Sequence, residues 1–307
     1  MLGFGRKQFQ VKDKHCYIGG GSEGLGLALA CQLAERGAHV TIVSRSASKL
    51  EKALNQVEQH RQSPNQKLAS YSCDLTSAKD AAETVTRACQ AHHNLAPDYI
   101  FACAGGCTPR MFLEAEVDDH MKALEWNFKT ALCTVHEGVK MMKEQGRKGK
   151  IVFTTSVLSM FGFAGYSTYC PSKFAIRGLA DALRNELIMY DIDVSVFIPA
   201  SIFSPGFENE QAMKSDITKR IEGPDDGVKP EQAARYMIKG LERNEYYITY
   251  EPVGHMLRTS RGGIPGNNYF LDVFWGFAGN IVMPLWRFFL ADSQVRKERA
   301  KLRKRAS

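Results

Sequence analysis

The stretch that most restricts what this chain can fold into is a glycine cluster close to its start. Residues 15–20 read as a short apolar strand, the turn Gly19-Gly20-Gly21-Ser22-Glu23-Gly24-Leu25-Gly26 follows, and residues 27–36 read as an apolar helix. A strand, a glycine-rich turn and a helix bring backbone N–H groups and a helix N-terminus to face one anionic group, an arrangement suited to a pyrophosphate. Glycine is needed because a Cβ would stand where the phosphates approach the backbone. Gly20, Gly24 and Gly26, with Ser22 inside the turn, are spaced G-x-x-x-G-x-G.

Beyond this turn, apolar runs at 40–43, 99–102, 150–153 and 194–197 alternate with helix-length patterns. Such alternation predicts βαβ units and a parallel sheet, and the unbroken apolar character of the runs predicts strands covered on both faces. The 307 residues can bury a sizeable core, and no repeat, low-complexity stretch or linker intervenes before Arg261. The expected fold class is α/β: a Rossmann-type doubly wound parallel sheet, one domain over residues 1–260, with an apolar C-terminal extension at 261–307.

Chemistry enters at Tyr169-Cys170-Pro171-Ser172-Lys173, with Ser156 upstream. A helical step of four sets a phenol and an ammonium on one face. The positive charge favours the phenolate, so Lys173 is expected to draw Tyr169 from its free pKa of about 10 towards the pH of the cell. Pro171 suits a helix only in its first turn, which places the helix start near Thr168. By themselves a Tyr and a Lys at this spacing are equally two residues on a surface helix; the glycine turn upstream gives them a partner.

Together these motifs resemble the short-chain dehydrogenase/reductase family across residues 13–250. The family's TGxxxGxG falls on 19–26, with Gly19 for the usual threonine, and its Asp after the third strand falls on Asp74, beside Leu75. Its NNAG falls on 102–105, keeping Ala104 and Gly105 but losing both asparagines, and its PGxxxT falls on 199–204 with Ala200 and Ser204 as departures. The resemblance implies hydride exchange between a nicotinamide and a carbonyl carbon. Tyr169 would exchange the proton, Ser156 hold the carbonyl oxygen, Lys173 hold the ribose and bias the tyrosine, and Asn127 position a water that returns the proton. Cofactor contacts are implied for Gly20, Ser22, Gly24, Gly26, Asp74, Leu75, Ala104, Gly105, Tyr169, Lys173, Pro199, Ile202 and Ser204. At the end of the second strand no acid is present to take an adenosine 2′-hydroxyl, and Arg45 with Ser44 and Lys49 suits a 2′-phosphate, so NADPH is expected. Glu23 is a contrary signal.

The segment Ser204-Pro205-Gly206-Phe207-Glu208-Asn209-Glu210 is similar to the TPGFxxE segment of the family's 3-ketodihydrosphingosine reductases, its fungal branch in particular. This implies a long-chain ketone lipid substrate, 3-ketosphinganine, with residues 203–226 as a substrate lid. Other membrane-associated reductases of the family, acting on a retinoid, steroid or long-chain acyl ketone, and a catalytically idle NADPH sensor or scaffold remain alternatives.

Eight cysteines without a CxxC pair, and no His or Cys cluster at zinc spacing, predict free thiols in a reducing compartment and no metal. The chain's charge of +7 invites a nucleic-acid partner, but residues 296–307 alone carry a net +6, so no nucleic-acid role is expected. Ahead of that tail, residues 269–291 are aromatic and apolar, interrupted by Asp272, Asn280, Pro284 and Arg287, which suits two short interfacial pieces better than one span. Tyr269, Trp275 and Trp286 suit the headgroup level, and the tail suits anionic lipid. A core-packing or dimer-forming C-terminus is the other reading. With Arg6, Lys7, Lys12 and Lys14 interrupting any leader-like run, the catalytic domain is expected to face the cytosol, and the resemblance implies an endoplasmic reticulum membrane protein. The family resemblance adds a homodimer or homotetramer.

Overall fold

The computed structural model describes residues 9–224, 226–251 and 254–255, with scattered positions from 277 onward. Among the described residues, seven parallel strands form one sheet in the order β3-β2-β1-β4-β5-β6-β7. They are β1 His15–Gly19, β2 His39–Ser44, β3 Leu68–Ser72, β4 Tyr99–Ala102, β5 Gly149–Thr154, β6 Ile192–Phe197 and β7 Tyr247–Ile248. The helices are α1 Gly24–Glu35, α2 Ala47–Glu58, α3 Ala78–Gln90, α4 Val117–Leu124, α5 Thr130–Glu144, α6 Tyr169–Glu186, α7 Pro205–Met213, α8 Asp216–Glu222 and α9 Pro230–Glu242.

The doubly wound α/β sheet expected from the apolar runs is the one observed. Side chains of successive strand residues point to opposite faces, and each face has its own core. Ile18, Ile42, Phe101, Val152 and Phe197 pack with apolar residues of α1, α2 and α9, whereas Tyr17, Val43, Ile100, Ile151, Phe153 and Val196 pack with those of α3, α5 and α6. With helices on both sides the central strands are covered on both faces, which is why polar residues are scarce in their apolar runs, whereas the edge strand β3 is only half-buried. In register, Ile18 stands beside Ile42 on one side and Phe101 on the other. The chain leaves β1 towards β2 and later returns to β1's other edge with β4. That reversal opens a crevice beyond the C-terminal ends of β1 and β4, where ligands of such sheets bind.

Two boundaries locate the site. Helix α1 begins at Gly24, ahead of the apolar pattern at 27, because the glycine turn itself forms its first turn. Helix α6 begins at Tyr169 with Thr168 as its N-cap residue, so Pro171 falls in the first turn as its chemistry requires. Most of the 261–307 extension, including Tyr269, Trp275, Trp286 and much of the basic tail, lies outside the described residues. Of the positions described there, Phe277, Ile281, Leu285, Phe288 and Phe289 are helical and exposed. Among the described residues no helix is long and apolar enough to cross a membrane.

Candidate active site

A cavity of about 1170 Å³ lies along the C-terminal ends of the strands. At one end the glycine turn forms its floor. Gly20 has φ +83°, and a Cβ there would stand 2.5 Å from the Ala104 nitrogen. A Cβ on Gly26 would collide with the Gly20 carbonyl oxygen. Glu23, at the N-cap of α1, makes no side-chain capping bond, so the first-turn N–H groups keep their capacity for an anion. Where the family has threonine, Gly19 is required here: a Cβ would meet Thr134 Cγ2 at 2.7 Å.

The wall beside this floor holds the residues expected to select the cofactor. Ser44 at the end of β2 has a buried hydroxyl without a partner among the described residues, and Arg45 is exposed beside it. Lys49 is held by Glu23, its Nζ 2.7 Å from the carboxylate, so this pair is neutral and the opposing charge of Glu23 is cancelled. Asp74 accepts from the Thr76 N–H at 3.0 Å and the Thr76 hydroxyl at 2.9 Å, bonds that lower its pKa. Ser22, Gly24, Leu75, Ala104, Gly105, Pro199, Ile202 and Ser204 complete this side of the lining. An orphaned hydroxyl, an uncapped helix start and a glycine floor with no room for a Cβ fit a dinucleotide.

The structure brings the expected catalytic residues together with one exception. Tyr169, Ser156 and Lys173 all line the cavity. Ser156 follows β5 and caps a short 3-10 turn, accepting from the Leu158 N–H at 3.2 Å. Lys173 Nζ stands 5.5 Å from the centroid of the Tyr169 ring and donates to the Thr154 carbonyl at 3.4 Å. Asn127 stays behind the wall. Fully buried in a π-helical turn between α4 and α5, it accepts from the Gly106 N–H at 3.1 Å and donates to the Gly106 carbonyl at 2.9 Å. It therefore braces the loop after β4 that carries Ala104 and Gly105.

The electrostatics depart from the sequence expectation for Tyr169. Burial pushes its pKa well above the ordinary tyrosine value, Cys107 and Glu210 push the same way, and the nearby Ser156 hydroxyl opposes them. The proximity of Lys173 does not prevail, because burial acts on the lysine too and lowers it to about 8. Tyr169 is thus held as a phenol, the form that can give a proton to a ketone.

Beyond Tyr169 the cavity is walled by the segment expected to be a lid, now seen as α7 and α8. Phe207, Ala212, Met213 and Ile221 line it, whereas Ile217 is exposed outside it. Sequence reading missed Tyr166, Lys214 and Glu222, which form a cluster with Glu210 here: Tyr166 reaches Glu210 and Glu222 across 44 and 56 positions, and Lys214 pairs with both carboxylates from nearby in the chain. Only Glu210, the last residue of the Ser204–Glu210 segment, carried a signal.

This cradle and catalytic cluster define a nicotinamide-dependent oxidoreductase, and the chain belongs to the short chain dehydrogenase family, whose model matches residues 14–215. Within that family it is 41% identical to a 3-ketodihydrosphingosine reductase of Cryptococcus neoformans over 98% of this chain and 90% of the relative. It is 34% identical to the 3-ketodihydrosphingosine reductase of Aspergillus fumigatus (92% of this chain, 84% of the relative). The 3-dehydrosphinganine reductase of Danio rerio is also 34% identical, over 82% of this chain and 75% of the relative. The fold matches the crystal structure of levodione reductase with TM-score 0.70 at 20% identity, covering 81% of this chain and 99% of that one. An NAD complex of a family member from Burkholderia phymatum also superposes with TM-score 0.70, at 16% identity over 82% and 94%.

Proposed function

We propose that this chain reduces 3-ketosphinganine to sphinganine with NADPH, at the cytosolic face of the endoplasmic reticulum membrane. The observation that carries this reading is the position of Tyr169 and Ser156 between a dinucleotide cradle and an apolar cavity wall built from α7 and α8. When bound, the nicotinamide supplies hydride to the carbonyl carbon. Tyr169, kept protonated by burial, donates its proton to the carbonyl oxygen. The Ser156 hydroxyl orients that oxygen and stabilises the negative charge that develops on it. Lys173 would hold the ribose and offset the charge left on the phenolate. Asn127 braces Gly106 and, beside Gly105 and Lys173, would position a water that returns the proton. Phe207, Met213 and Ile221 accept the start of the alkyl chain.

NADPH is favoured over NADH because Arg45 is exposed at the cavity wall with no acid at the end of β2, while Glu23 is neutralised by Lys49. Phe277, Ile281, Leu285, Phe288 and Phe289 are exposed apolar residues on helical positions, which suit a lipid interface. Exposed Val117 and Met121 on α4 suit self-association through that helix. The reading is tested by following NADPH oxidation by the purified protein with 3-ketosphinganine and, in parallel, with steroid and retinoid ketones. Turnover should be fastest on the sphingoid ketone; its absence there, or faster steroid or retinoid turnover, overturns the assignment.

A further inference from the structure

The cavity wall facing Tyr169 holds a polar cluster that hydride and proton transfer to a plain ketone would not need. Tyr166, 1% exposed and three residues before Tyr169 in the turn that leads into α6, donates its hydroxyl towards Glu210 Oε1 at 2.7 Å and Glu222 Oε1 at 3.1 Å. Lys214, whose side chain is fully buried, lies 2.6 Å from Glu222 Oε2 and 3.3 Å from Glu210 Oε1. One hydroxyl proton can serve only one carboxylate at a time, and one ammonium balances only one of two negative charges. The cluster therefore carries one net negative charge on the cavity wall, where it is open to a cation.

The oxygens show where that charge is open. Both Glu222 oxygens have partners, Oε1 the Tyr166 hydroxyl and Oε2 the Lys214 ammonium. For Glu210 both contacts fall on Oε1. Its Oε2 is left without a partner among the described residues, in a side chain that lines the cavity and is 20% exposed. Glu210 and Tyr169 line the same cavity, and the Tyr166 ring, whose hydroxyl is bonded to Glu210, stands 6.1 Å centroid to centroid from the Tyr169 ring. A group bound to Glu210 therefore lies in the cavity that holds the reacting tyrosine.

We infer that Glu210 is the specificity residue for the ammonium group carried on the carbon next to the ketone, with Lys214, Tyr166 and Glu222 holding its carboxylate in place. The inference rests on the sphingoid reading above: a 3-keto sphingoid base carries such an ammonium, whereas a steroid, a retinoid or a simple acyl ketone does not. Recognition is a charge-assisted hydrogen bond from the ammonium to Oε2. The same contact cancels the negative charge beside Tyr169, so release of the phenol proton becomes easier when the correct substrate is bound. Binding and catalysis then select the same feature.

The test compares 3-ketosphinganine with its des-amino analogue, a long-chain 1-hydroxy-3-ketone of equal length, on the full-length protein. For the unaltered protein the amino ketone should show a kcat/KM roughly tenfold to hundredfold higher, the range of a hydrogen bond to a charged group. In Glu210→Gln that ratio should collapse to within about threefold of unity, with the loss in kcat as well as KM, while cofactor fluorescence titration and far-UV circular dichroism confirm a folded, loaded protein. A ratio near one in the unaltered protein overturns the inference even if Glu210→Gln does not fold, and leaves the sphingoid reading standing because both ketones are reduced. A large ratio that Glu210→Gln preserves also overturns it. Failure to reduce either ketone would remove the sphingoid reading and this inference together.

Discussion

Replacing Lys173 with methionine should make the free protein more stable while destroying its activity. Lys173 is 5% exposed, and burial lowers its pKa from 10.5 to about 8. Each unit corresponds to about 1.4 kcal/mol, so holding the side chain charged costs about 3 kcal/mol at neutral pH. Methionine has a similar length and no charge to desolvate, but it forfeits the hydrogen bond to the Thr154 carbonyl, worth about 1 kcal/mol. The net gain is about 2 kcal/mol, or roughly 4 °C in Tm for a chain of this size. Because the folded pKa lies below the unfolded one, the unfolded chain binds the extra proton between pH 8 and 10.5, and the native protein gains stability as pH rises through that window. Thermal unfolding of cofactor-free protein at pH 7, 9 and 10.5 should therefore show the largest advantage of Lys173→Met at pH 7, and at the highest pH no advantage or a slight loss, because the missing hydrogen bond then outweighs the vanished cost of charge. A lower Tm for the variant at pH 7, or an advantage that does not change with pH, would refute the reasoning.

Tyr169→Phe should reduce turnover by about 100-fold or more while cofactor binding, read by fluorescence, changes little, since only the transferable proton is lost; retention of more than about a tenth of the activity would contradict a general acid. Arg45→Ala should weaken NADPH by about tenfold or more and leave NADH almost unaffected, because the 2′-phosphate alone offers a charge-assisted pair; equal losses would reject that role. Deleting residues 266–307 should release the protein from lipid vesicles and slow turnover of vesicle-borne 3-ketosphinganine more than that of a short soluble ketone. Retention on the vesicles would remove the anchoring reading, and equal losses on both ketones would point to a structural C-terminus.

The sheet was legible because its determinants are local. A parallel strand buried on both faces leaves an apolar run, and Pro171 could stand only in a first turn, so the start of α6 followed from one residue. The glycine floor was legible for the same reason. What the sequence concealed was depth and long-range company. Lys173 at i+4 suggested a lowered tyrosine pKa, yet nothing in the spacing of the two residues tells how far water is excluded from them, and exclusion is the larger effect. The neutral Glu23–Lys49 pair joins residues 26 apart, and Tyr166 reaches Glu222 across 56, separations at which side-chain pairing leaves no pattern in one sequence. Asn127 was identified by motif, but its place behind Gly106 depends on a π-helical turn that composition does not announce.

The opposed shifts of Tyr169 and Lys173 have a single cause. Where water is excluded, charge is penalised on either group, so the phenol holds its proton more tightly and the ammonium less tightly. A site of this kind is well prepared to begin a ketone reduction, with a neutral acid waiting for the carbonyl oxygen. It is badly prepared to end the proton transfer, because the phenolate then forms in the same dry surroundings. Lys173, 5.5 Å from the ring, offsets that charge, while Glu210 opposes it. A cation arriving with the substrate beside Glu210 shifts this balance towards proton release. A ketone without that cation meets the same acid and the same cradle, but with the negative charge of Glu210 uncompensated at the moment the phenolate forms.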